Sequence, residues 1–222
     1  MGAKNKTGRI KDLLSFQNVL QYTELQSDAP PAGRWGRDIF PKEQPLTLEL
    51  ACGKGEYTLN LAQRNPDRNY VGVDLKGPRI WLGAKKALEK NLSNVRFLRA
   101  YIDHLDHFFA PGEVDEIWIT FPDPFIKKMS RRSNRLTSPK FLNIYKKILK
   151  PGGIIHLKTD SAILFQFTID TVEQTGGSIL RRVDDIYSDC PEDDLLTIQT
   201  FYEKSHLKAE KRIRYLSFQI SF

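Results

Sequence analysis

Residues 46–63 read LTLELACGKGEYTLNLAQ, an apolar run that passes through two glycines into a helical pattern. Leu46–Ala51 has the composition of a short buried strand, and Gly55–Gln63 has helical periodicity. A strand that turns through glycines into a helix opens a doubly wound α/β sheet, where ligands sit beyond the carboxyl ends of the strands. Gly53 and Gly55 suit such a turn because neither carries a Cβ that would keep a cofactor from the backbone. The third glycine of a dinucleotide fingerprint is replaced by Thr58, and Lys54 precedes glycine where a Walker A lysine precedes Ser or Thr. An ordinary strand-to-helix turn fits the two glycines as well as a cofactor loop does.

The alternation continues downstream. Tyr70–Val73 reads as a second strand ending at Asp74, with a helix over Arg79–Lys90. Val95–Leu98 and Ile117–Thr120 are the third and fourth strands. Thr137–Lys150 is a helix stopped by Pro151-Gly152-Gly153, Ile154–Leu157 a fifth strand, and Ser161–Gln174 a helix. This order predicts a parallel sheet covered by helices on both faces. Ser178–Val183 and Ile213–Ile220 add two strands, the last alternating polar and apolar as a half-buried antiparallel strand does. A short helix is expected between Phe201 and Ala209. The expectation is an α/β, Rossmann-like, seven-stranded, mostly parallel sheet with an antiparallel C-terminal strand. Residues 46–222 form this domain, and residues 1–45 are a basic segment and lead-in with a helix near Leu13–Leu25.

Composition narrows the function. The chain has 222 residues, 40% of them hydrophobic, enough for one domain with its own core. No apolar run is long enough to span a membrane, and the basic N-terminus lacks an apolar signal core. Two cysteines, Cys52 and Cys190, give no disulfide framework or zinc spacing, so no metal site is expected and a reduced, cytoplasmic setting fits. His104 and His107 beside Asp103 and Asp106 lack a third ligand cluster. His156, inside the fifth strand, reads as a packing residue.

Acids mark the ends of successive strands. Glu49 lies near the end of the first, Asp74 ends the second, and Asp103 follows the third. A carboxylate after the second strand is placed to accept hydrogen bonds from adenosine ribose hydroxyls. Asp103 is placed for the adenine amine. Such a set suits a cationic sulfonium better than a pyrophosphate and favours S-adenosylmethionine over NAD.

The fourth strand runs into Thr120-Phe121-Pro122-Asp123-Pro124-Phe125, where two prolines stiffen the turn around one acid. Between Asp123 and Asp160 no acid occurs, whereas Lys127, Lys128, Arg131, Arg132, Arg135, Lys140, Lys146, Lys147, Lys150 and Lys158 do. The net charge is +7. Charge so segregated beside a turn of this kind predicts a phosphate-binding rim, with Lys128, Arg131, Arg132 and Arg135 foremost.

LELACGKG, FPDP followed by Lys127-Lys128 and an arginine cluster, LKPGG with IIHLKTD, and Thr200-Phe201-Tyr202-Glu203 together resemble the bacterial tRNA (guanine-N7)-methyltransferases. The resemblance spans Leu46 to the C-terminus. It implies a class I methyltransferase that uses S-adenosylmethionine, held by Glu49, Gly53, Gly55, Asp74, Asp103 and Asp123, with Asp123 also catalytic. It implies a variable-loop guanine of tRNA as substrate, contacted by Lys127, Asp160, Thr200 and Glu203. Ala51 and Glu210 stand where the family usually has glycine, and Phe125 where it usually has tryptophan. A small dehydrogenase, a methyltransferase for another RNA position or a small molecule, and a non-catalytic RNA-binding module are the rival readings. The oligomeric state is not legible in the sequence.

Overall fold

The computed structural model describes residues 6–22, 31–126 and 129–222. In chain order the elements are α1 (Lys6–Leu13), β1 (Val19–Gln21), β2 (Leu46–Leu50), α2 (Glu56–Arg64), β3 (Asn69–Asp74), α3 (Gly77–Glu89), β4 (Val95–Arg99) and α4 (Leu105–Phe108). There follow β5 (Val114–Thr120), α5 (Pro139–Ile148), β6 (Leu149–Thr159), α6 (Ala162–Gln174), β7 (Ser178–Val183), α7 (Ile186–Asp189), α8 (Phe201–Lys208) and β8 (Arg214–Gln219). They build one sheet in the order β1-β4-β3-β2-β5-β6-β8-β7. All neighbours are parallel except β8, which runs antiparallel to both β6 and β7.

The sheet has eight strands, one more than expected. The addition is β1, three residues pairing with Phe97–Arg99 of β4. It falls inside the stretch expected to be a helix over Leu13–Leu25, and the helix itself ends at Leu13. Residues 23–25 of that expectation lie outside the described residues. A strand this short carries no periodicity of its own, and its parallel partner lies 78 residues away.

Side chains of the strands alternate between two cores. Leu48, Leu50, Val71, Val73, Ile117 and Ile119 pack under α4, α5 and α6. Tyr70, Val95, Phe97 and Trp118 face α1, α2, α3 and α7. On that second face three glycines clear a seat for one ring: a Cβ on Gly55, Gly72 or Gly83 would lie 2.6–2.8 Å from the Phe97 side chain. β2 sits at the centre, with β3 and β4 stepping to one side and β5 and β6 to the other. The cleft such an order leaves lies beyond the carboxyl ends of β2 and β5.

Candidate active site

That end of the sheet opens onto a cavity of about 860 Å³. Glu49, Gly53, Asp74, Asp123, Asp160 and Thr200 all line it. A second cavity, of about 410 Å³, is lined by Tyr101, Asp103, Phe125 and Phe141 among others. Ala51, Asp74, Pro122 and Asp123 line both, which places Asp123 on their common wall.

Glu49 is 3% exposed. Its Oε2 accepts the Thr58 N–H at 2.8 Å together with the Thr58 hydroxyl, and its Oε1 accepts the Thr120 hydroxyl at 2.8 Å. Burial raises its carboxyl to about 7, against the opposing pull of these hydrogen bonds. Thr58, at the position of the missing third glycine, is thus a donor that seats the acid. No sequence motif pointed to that role.

Asp74 closes the glycine turn. Its Oδ2 accepts the Gly53 N–H at 2.9 Å and its Oδ1 the Lys76 N–H at 2.8 Å. Gly53 has φ +58°, and the nearest atom to a Cβ built there is the Ala51 carbonyl oxygen at 4.0 Å. The space in front of Gly53 is therefore open for a ligand to approach the backbone. Gly55, φ +65°, does not line either cavity; its missing side chain makes room for Phe97. Ala51 adopts φ +55°, a left-handed conformation that glycine takes without strain.

The turn after β5 is bracketed by two strained residues, Phe121 at φ +49° and Phe125 at φ +45°. Asp123 Oδ1 accepts the Phe125 N–H at 2.9 Å, which fixes the carboxylate on the cavity wall. Arg135 braces the same turn by donating Nε–H to the Pro124 carbonyl at 2.8 Å. Arg135 is 2% exposed, with its guanidinium 4.4 Å from the centre of the Phe167 ring. It was expected on the RNA rim; burial and this brace remove it from there.

The rest of the basic run also changes meaning in three dimensions. Lys140 pairs with Asp103, Lys147 with Asp106 at 2.6 Å, and Lys150 with Asp115 at 2.5 Å. Lys158 is fully buried and pairs with Glu203 at 2.7 Å. Acids missing from the run in sequence are supplied to it from elsewhere in the fold. Arg131 and Arg132 remain exposed, whereas Lys127 and Lys128 lie outside the described residues.

Asp103 lines the smaller cavity only, with its carboxylate shared with Lys140. Asp160 and Thr200 line the larger one, and Asp160 Oδ2 accepts from Lys211 Nζ at 2.7 Å. Glu203 lines neither. Its carboxylate is fully buried, accepts from Lys158 and from the Tyr187 hydroxyl at 2.8 Å, and closes a capping box with Thr200 at the start of α8. Lys158 also donates to the Leu196 and Ile198 carbonyls, and burial lowers its ammonium to about 8 while Glu203 opposes that fall. The pair anchors α8 over the site; an isolated Lys in an apolar strand is the one signal that marks it in sequence.

His156 stacks on Trp118, centroids 4.1 Å apart, in the packing place expected of it. Among the described residues no group of three or more His, Cys, Asp or Glu is arranged to hold a metal ion. Among them, too, no helix is long and apolar enough to cross a membrane.

Known proteins point the same way. A family model described as "Putative methyltransferase" matches residues 43–216. The tRNA (guanine-N(7)-)-methyltransferase of Christiangramia forsetii is 46% identical over 99% of this chain and 100% of its own. That of Porphyromonas gingivalis is 47% identical over 92% of this chain and 85% of its own. Among solved structures, the 16S rRNA methyltransferase KamB superposes with a TM-score of 0.65 at 16% identity, covering 90% of this chain and 97% of that one, a likeness of fold alone. With its doubly wound sheet and carboxylate-lined cleft, this chain belongs to the tRNA (guanine-N7-)-methyltransferase family.

Proposed function

We propose that the chain transfers the methyl group of S-adenosylmethionine to N7 of the variable-loop guanine of tRNA, in the cytoplasm. The observation that carries this is the position of Asp123, on the wall common to two adjoining cavities, the larger also lined by Glu49 and Asp160 and the smaller by Asp103. The residues fit the cofactor. Glu49, Asp74 and Asp123 bring negative charge to a cleft suited to a cation, Gly53 leaves the backbone approachable, and Asp103 lies in the adjoining cavity. When bound, S-adenosylmethionine supplies a methyl group on a cationic sulfur.

Guanine N7 has a lone pair and no proton to lose, so no residue has to act as a strong base. The work of the chain is alignment, which is worth several orders of magnitude in rate. Asp123, fixed by Phe125 N–H, orients cofactor against base and stabilises the positive charge that passes to the purine. Asp160 accepts from the guanine N1–H and N2–H edge and Thr200 orients that loop. Glu203 acts from beneath by holding α8, and Lys127 meets guanine O6 or a phosphate. Arg131 and Arg132, with Lys128, bind the RNA backbone.

Methyl transfer from labelled S-adenosylmethionine to an unmodified tRNA transcript, followed by borohydride–aniline cleavage, tests this reading. A cut at the variable-loop guanine, absent with Asp123→Ala, is expected. Label in tRNA without that cut moves the target atom, and no label in tRNA returns the small-molecule and non-catalytic readings.

A further inference from the structure

The larger cavity contains an imidazole to which the mechanism above gives no task. His206 lies on α8 and lines that cavity. Its ring stacks on Phe121, with centroids 5.7 Å apart and planes inclined by 28°. Its Nδ1 lies 3.4 Å from Asp160 Oδ2, the oxygen that also accepts from Lys211. The two contacts reach different halves of the site, since Phe121 heads the turn that carries Asp123 and Asp160 follows β6.

Each contact bears on a group whose placement needs support. Phe121 sits at φ +49°, a conformation that persists in a side-chain-bearing residue only where its surroundings hold it. Asp160 is a strand-end carboxylate, and its orientation decides which donors it meets. His206 is rigidly mounted by comparison: the Thr200–Glu203 capping box starts its helix, the Lys158–Glu203 pair anchors it, and the Phe201 N–H is held by Glu56 Oε2 at 2.8 Å.

We propose that His206 is a positioning residue that couples the Asp123 turn to the guanine-binding Asp160, its ring face steadying the first and its Nδ1 the second. The proposal rests on the functional reading above. It assigns the methyl-transfer geometry to the stack and base recognition to the polar contact, so the two are separable by substitution.

Steady-state kinetics with tRNA on three variants provide the test. His206→Phe keeps the stack and loses the polar contact; it should keep kcat within about twofold and raise KM for tRNA about three- to fivefold, the scale of one partly exposed polar contact. His206→Gln keeps a donor within reach of Asp160 and loses the stack; it should keep KM and lower kcat about five- to tenfold, the scale of one ring–ring contact. His206→Ala should show both losses. Cofactor affinity by calorimetry should stay within about twofold in His206→Phe, which keeps the stack on the Asp123 turn and whose lost contact touches none of Glu49, Asp74, Asp123 or Gly53. An unchanged His206→Ala, or an equal fall of kcat and rise of KM in all three variants with lowered melting temperatures, overturns the proposal. If the wild-type chain itself methylates no tRNA, the functional reading fails and this role falls with it. Wild-type activity with an undivided response removes only the role of His206.

Discussion

Glu49 Oε1 and the Thr120 hydroxyl are joined at 2.8 Å across the boundary between β2 and β5, where the strand order reverses. The bond draws the acid at the end of one half of the sheet to the strand that carries the FPDP turn of the other. A buried carboxyl at this junction titrates near neutrality, at about 7, because burial penalises its charge.

A cationic ligand in the cavity stabilises the ionised form of Glu49 and so releases a proton on binding. Affinity for S-adenosylmethionine is expected to rise with pH up to about 7 and to level off above it. In the ligand-free protein the sign is opposite. The folded-state value lies above the ordinary 4.5, so the stability contributed by the protonated group is full below 4.5 and is lost as pH rises through about 7. Calorimetry in buffers of different ionisation enthalpy measures the released proton, and Glu49→Gln abolishes it. Affinity independent of pH across this range would falsify the assignment.

Ala51 and Glu210 adopt φ +55° and +52°, a left-handed conformation that glycine takes without strain. A left-handed backbone costs a side-chain-bearing residue about 1–2 kcal/mol, partly offset by the extra freedom glycine has when unfolded. Ala51→Gly and Glu210→Gly are each expected to stabilise the chain by about 0.5–1 kcal/mol and to raise the melting temperature by about 2–3 °C. Thermal unfolding of the two single variants and their combination measures this. The gains should add, because Ala51 follows β2 and Glu210 follows α8.

Lys158 and Glu203 are both fully buried and each has the other as its charge partner. Removing one partner leaves an uncompensated buried charge, so Lys158→Ala is expected to cost about 3–5 kcal/mol. Much of the loss should be local to α8, whose anchor it is. Hydrogen exchange should show faster exchange across residues 201–208 in the variant before the central strands are affected. Equal exchange across α8 in the two proteins would refute the anchoring role.

The basic run supplies fewer phosphate contacts than its composition promises, since Lys140, Lys147, Lys150, Lys158 and Arg135 are engaged within the fold. With about four cations on the RNA, the log–log salt slope of tRNA binding is expected near −2.8 to −3.6. The double change Arg131→Ala with Arg132→Ala should reduce its magnitude by roughly 1.4–1.8. Arg135→Ala should leave the slope almost unchanged and reduce turnover instead, through the Pro124 brace. Filter binding at several salt concentrations separates these outcomes.

Regular alternation of strands and helices made most of the sheet legible, because β2, β3 and β5 centre on apolar runs; β6 starts at Leu149 and takes in Pro151-Gly152-Gly153, where the sequence predicts a helix end and a stop. β1 was not, since three residues show no period and their pairing depends on a partner far away in the chain. The acids at strand ends were legible for the same topological reason: where the strand ends, the cleft begins. Charge pairing was not. Asp103, Asp106 and Asp115 are distant in sequence from the lysines they meet, and nothing in the basic run itself reveals that α5 lies beside them. Arg135 is not distinguishable in sequence from the exposed Arg131 and Arg132, because burial of a long cation is decided by the fold around it, whereas Lys158 is marked only by its place in an apolar strand.

The ring of Phe97 imposes a constraint on how this chain can change. Gly55, Gly72 and Gly83 come from a cofactor loop, a strand and a helix, yet each is bounded by the same aromatic side chain. Substitution at Gly55 or Gly72 meets that ring first, and at Gly83 it meets the Lys54 carbonyl at 2.6 Å and then the ring at 2.8 Å. A smaller residue at 97 would relax one boundary of all three together, leaving Gly83 still confined by the Lys54 carbonyl and Gly72 by the Cys52 sulfur. Phe97 and the three glycines therefore constrain one another as a unit: the ring can keep its size only while all three positions stay glycine, and shrinking it frees none of them fully, since Gly55 also sits at φ +65°.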